Sequence, residues 1–69
     1  MQKLNRLKEK LLLNLDALTT EKTEHEKILS NEKLSPEEVR TEKDYVNILT
    51  GKILELNDII KIIDIELYG

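Results

Sequence analysis

The chain has 69 residues, with 11 basic and 14 acidic side chains, a net charge of −3, and no Cys, Trp or Phe. One small domain is the ceiling at that length; such a domain buries only about 60% of its unfolded surface, and no disulfide or thiolate metal site can supplement the core. Segment charges of +2 (residues 1–18), −3 (19–44) and −2 (45–69), an aromatic content of 3% and a longest apolar run of three residues, Leu11 to Leu13, leave no nucleic-acid footprint, no base-stacking platform and no membrane span.

The chain opens on Met1-Gln2-Lys3-Leu4-Asn5-Arg6. This start is basic, but the apolar stretch after it is short and broken by Glu9 and Asn14, so it does not read as a signal peptide. Its apolar stripe continues into the residues that follow, which argues against an organelle presequence. Leu4, Leu7, Leu11, Leu15, Leu18 and Leu29 fall on one stripe at helical spacing, together with Lys22 and His25. No Gly or Pro interrupts residues 1–35. The spacing predicts a first helix over about residues 2–31, ending in the polar connector Ser30-Asn31-Glu32-Lys33.

Leu34-Ser35-Pro36-Glu37-Glu38-Val39 is the strongest punctuation in the chain. Ser35 suits an N-cap, where its hydroxyl accepts from a free backbone N–H. Pro36 falls at N1, where a missing N–H costs nothing. Glu38 at N3 completes a capping box, and Leu34 with Val39 forms a hydrophobic staple. A second helix is predicted from Pro36 to about residue 68. Within it Val46, Leu49, Ile53, Leu56, Ile60, Ile63 and Leu67 alternate spacings of three and four, which is a heptad seam. Extended backward, the seam reaches Val39 with one exception, Glu42.

A connector this short makes the helices antiparallel neighbours. The predicted architecture is therefore all-α: one antiparallel two-helix hairpin over residues 1–69. Facing residues should have numbers summing to about 68, so Leu15 meets Ile53, Leu11 meets Leu56, Leu7 meets Ile60 and Leu4 meets Ile63. Lys22 and His25 then face Glu42 and Val46, giving a polar closed end and an apolar open end.

A lone hairpin buries one stripe per helix, and the second helix carries more than one. Ile48, Ile59 and Ile62 lie off the seam, and Ile65 and Tyr68 carry apolar surface further round. Leu12 and Leu13 point away from the seam on the first helix. Leaving five or six such side chains bare forfeits about 10 kcal/mol at roughly 1.5–3 kcal/mol each, comparable to the whole stability of a small domain. The segment from Ile59 to Ile65 is rich in β-branched residues and is an aggregation hazard if uncovered. A partner is implied: a second hairpin or a different protein.

Candidate chemistry is sparse. His25 is the only histidine; Lys22, not Glu, precedes it by three, so a di-metal bundle pattern fails. Its expected role is a half-buried contact with Glu42. Thr50-Gly51-Lys52 ends like a phosphate-binding loop but lacks the earlier Gly and the following Ser or Thr, and it lies inside a heptad helix. Gly51 itself costs about 1 kcal/mol relative to Ala in mid-helix. No nucleophile pair, cofactor motif or cleft former is present, so the chain does not read as an enzyme and no cofactor is expected.

Leu4-Asn5-Arg6-Leu7 with Leu11-Leu12-Leu13 at the front, and Leu56-Asn57-Asp58-Ile59-Ile60-Lys61-Ile62-Ile63 at the back, give the chain a family likeness. It resembles the type III secretion needle co-chaperones (YscE/PscE/SsaE/EscE-like), short helical hairpins with an aliphatic-rich second helix. Members often carry a Tyr-Gln pair early in that helix; here Tyr45 is followed by Val46. The resemblance implies a bacterial cytoplasmic co-chaperone that stabilises a helical-repeat (TPR-like) chaperone. Through that chaperone it would keep the needle subunit from polymerising before export. The expected partner-binding residues are Ile48, Ile59, Ile62, Ile63, Ile65 and Tyr68, with Ile59, Ile62 and Ile63 carried over from the family. Other readings fit the same residues: a structural subunit of a permanent coiled-coil assembly such as a kinetochore ring or tether complex, a homodimeric bundle, or a truncated chaperone-regulator bundle of the BAG type. The last lacks the basic third helix of such modules.

Overall fold

Capping chemistry and hydrophobic period set the two elements. In the computed structural model, which describes residues 2–68, α1 spans Gln2–Leu29 and α2 spans Pro36–Tyr68. The hairpin is all-α, as the periodicity predicts, and the two helices pack against each other along their length.

The start of α2 follows the capping-box geometry. Glu38 N–H donates to Ser35 Oγ at 3.2 Å, and Ser35 N–H donates to Glu38 Oε1 at 3.3 Å. The first helical bond runs from Val39 N–H to Ser35 O at 3.0 Å. Leu34 and Val39, the expected staple, are both half-buried.

The end of α1 comes two residues before the expected boundary. Ser30 N–H is shared between the carbonyls of Glu26 and Lys27, both at 3.2 Å, and Asn31 N–H donates to Ile28 O at 3.0 Å. These bonds tighten the last turn into 3₁₀-like geometry. The Ser30 hydroxyl donates to Lys27 O at 2.6 Å. Asn31 Oδ1 then accepts from Lys33 N–H at 3.0 Å, an Asx turn that reverses the chain. Short polar side chains that offer the backbone such local bonds compete with helix continuation.

The seam of α2 is on the inside. Leu49 is 2% exposed, Ile63 6% and Ile60 8%, while Val46, Ile53, Leu56 and Leu67 are half-buried. On α1, Leu4, Leu11, Leu15, Leu18 and Leu29 are half-buried, and Leu7 is exposed. No described residue of α1 is fully buried, because one facing helix can cover only one side of a stripe.

The shape reports the same shortage. The molecule measures 51 × 14 × 13 Å, with a radius of gyration of 15.8 Å. A compact chain of this length would have a radius near 11 Å. Its surface of 5603 Å² exceeds the roughly 4,500 Å² expected of a compact monomer of its mass. Gly51 faces open space, with nothing within 4 Å of a Cβ built on it.

Candidate protein-interaction surface

Polar contacts between the helices fix which flanks of α1 and α2 share a side. At the closed end His25 Nδ1 meets Glu42 Oε2 at 2.5 Å, and both side chains are about three-quarters buried. This is the contact expected from the pairing of turn-end positions. The Tyr45 hydroxyl donates to Glu21 Oε1 at 2.7 Å, and the His25 and Tyr45 rings lie 4.4 Å apart, tilted by 48°. Donation to the Glu21 carboxylate, and its nearby charge, push the Tyr45 hydroxyl above the ordinary tyrosine pKa.

At the open end Lys8 Nζ meets Asp64 Oδ1 at 2.5 Å and sits 5.5 Å from the centre of the Tyr68 ring. Asp64 Oδ1 is shut off from solvent and, among the described residues, has no hydrogen-bond partner beyond this ion pair. The hydrogen bond to Asp64 pushes the Lys8 ammonium above the ordinary lysine pKa, against a smaller opposing effect of burial. Partner numbers add to 66 and 67 at the closed end but to 72 for Lys8 and Asp64. Side chains on a helix lean toward its N-terminus. In an antiparallel pair, Lys8 and Asp64 therefore lean toward each other, and their contact joins backbone levels about a turn apart.

These contacts divide the exposed apolar residues into two groups. At 3.6 residues per turn, Ile48, Ile59 and Ile62 stand roughly 90–150° from the seam on the flank shared with Tyr45. Leu54, Ile65 and Tyr68 stand as far round on the opposite flank, the Lys8–Asp64 side. Ile62 (60%), Ile65 (67%) and Tyr68 (75%) are the barest of the expected partner-binding residues, followed by Ile48 (56%) and Ile59 (38%). All five are accessible, but they do not form one patch.

Ile63 needs a correction. It lies inside the seam and is buried by α1, so it supports the hairpin and offers a partner no surface while the hairpin is closed. Leu54, 60% exposed, was not among the expected site residues; the same helical-wheel arithmetic that finds Ile65 also finds it. Bare apolar surface is not confined to the open end either, since Ile28 and Tyr45 near the turn are also exposed.

A groove of about 400 Å³ runs between the helices on the Tyr45 side, lined by Asn14, Ala17, Leu18, Lys52, Glu55, Leu56 and Ile59. It is shallow and open, with Ala17 as its smallest wall. A second hollow at the turn brings Glu37, Glu38 and Glu42 near Ile28 and Leu34. Two of those carboxylates are already engaged, Glu38 in the cap and Glu42 with His25. Among the described residues no group of three or more acidic or His side chains is placed to hold a metal ion, and no helix is long and apolar enough to cross a membrane. Comparison with known proteins returns no match among family models, curated proteins or solved structures.

Proposed function

We propose that the chain is a small co-chaperone that binds and stabilises a helical-repeat chaperone of a type III secretion needle subunit in the bacterial cytoplasm. The observation that carries this reading is the row of bare aliphatic side chains on α2, with Ile59 lining an open interhelical groove and Ile62 about a turn further along the same flank. A helical-repeat protein offers amphipathic helices that pack in such a groove by their apolar faces. The mechanism is mutual coverage rather than catalysis. The hairpin covers apolar surface on the chaperone, and the chaperone covers the flank that α1 is too narrow to reach. The needle subunit, held by the stabilised chaperone, then stays unpolymerised until export.

The test is co-purification from the native host with mass spectrometry of the bound proteins. The unaltered chain should bring down a helical-repeat chaperone together with a needle subunit. Ile62→Asp should keep the isolated chain helical, because Ile62 is 60% exposed, yet lose that partner. Undiminished capture by the variant overturns the proposal, as does a partner set with no helical-repeat protein.

A further inference from the structure

The Tyr45-side flank of α2 has an internal symmetry that the heptad seam does not explain. Tyr45, Ile48, Lys52, Glu55, Ile59 and Ile62 follow one another at spacings of three, four, three, four and three. Read from either end, the stripe runs apolar, apolar, charged, charged, apolar, apolar, and the two central charges are opposite in sign. All six side chains are exposed. The open groove beside Lys52, Glu55 and Ile59 lies along the middle of the stripe.

We propose that this stripe is a self-pairing surface, and that its occupant is a second copy of the chain docked antiparallel about a two-fold axis between Ile53 and Leu54. In that register Tyr45 meets the second copy's Ile62, Ile48 meets Ile59 and Lys52 meets Glu55, each twice by symmetry. Every apolar residue faces an apolar one and every charge faces its opposite. Sliding one helix by a heptad sets Ile48 against Lys52, or Ile59 against Glu55, and buries a charge against an aliphatic side chain. Parallel pairing sets Lys52 against Lys52 and Glu55 against Glu55. The charges therefore select both direction and register, the role that polar positions play in coiled-coil pairing. This inference stands independently of the co-chaperone reading and needs no other protein. A partner that uses Ile59 and Ile62 would compete with it.

The chain contains no cysteine, so introduced thiols give an unambiguous test. Ile48→Cys and Ile59→Cys are made in separate full-length chains, checked for helix content, then mixed and oxidised. The register brings position 48 of one chain against position 59 of the other, within disulfide reach. It holds position 48 about 16 Å from its own symmetry mate, and position 59 likewise. The expected result is a cross-linked dimer in the mixture and none from either variant alone. Sedimentation equilibrium of the unaltered chain should show a mass about twice 8.1 kDa at high micromolar concentration. Self-linking of either variant at the yield of the mixture overturns the register. An unaltered chain that stays at 8.1 kDa overturns the dimer. Neither result touches the co-chaperone reading, which is tested by the identity of a captured partner.

Discussion

Leu49→Ala tests whether the hairpin is held by its seam. Leu49 is the most deeply buried of the described hydrophobic residues, 2% exposed near the middle of α2. Truncation removes three carbons, worth about 0.8 kcal/mol each, or roughly 2.4 kcal/mol of lost transfer free energy. The cavity left behind adds to that, and buried Leu→Ala changes span about 2–5 kcal/mol. The lower half of the range applies here, because a two-helix wall open on both sides can close on the gap. A cost of about 2–3 kcal/mol is therefore expected. A 69-residue chain loses roughly 7 °C in Tm per kcal/mol at about 2.1 cal/mol/K of unfolding entropy per residue. The midpoint should fall by about 14–20 °C in thermal circular dichroism at 222 nm. Leu54→Ala is the control: the same chemistry on the same helix, at a side chain 60% exposed, should cost under about 0.5 kcal/mol. Equal losses from the two variants would refute the claim that one seam, rather than apolar content as such, carries the stability.

Two further outcomes follow from the caps and the charges. Ser35→Ala removes the acceptor for Glu38 N–H and should cost about 1 kcal/mol, read as a lower midpoint with unchanged helix content at low temperature. The alkaline limb of stability should reflect Lys8 and Tyr45. Both hold their protons more tightly folded than unfolded, so their contributions are complete below about pH 10 and are lost as pH rises through the raised folded pKa values. Lys8→Met together with Tyr45→Phe should flatten that limb in denaturant titrations run between pH 9 and pH 12; an unchanged slope counts against both contacts.

The start of α2 was legible because every participant lies within six consecutive residues. Ser35, Pro36 and Glu38 carry the cap in their own side chains, and no tertiary contact is needed to form it. The seam was legible for a related reason: a heptad repeat over Val46 to Leu67 constrains one face whatever packs on it. The end of α1 was legible to within two residues, since Ser30 and Asn31 can either extend a helix or bond locally to the backbone, and only the chain reversal favours the second.

What the amino-acid sequence determined by itself is the pair of helices, their antiparallel order and an excess of apolar residues on α2. What only the tertiary structure decided is what borders that excess on the facing helix. Period places Ile48, Ile59 and Ile62 on one side of the seam and Ile65 and Tyr68 on the other, but it does not say which residues of α1 stand beside each flank. The Tyr45–Glu21 and Lys8–Asp64 contacts settle that. They depend on axial register and on side chains leaning toward each helix's N-terminus, and both quantities exist only once two helices are packed. The same packing puts Ile63, a seam residue that the family resemblance also counts among the partner contacts, out of a partner's reach. The shortage of core announced by 69 residues thus becomes two separate uncovered flanks, one of them symmetric enough to meet its own copy.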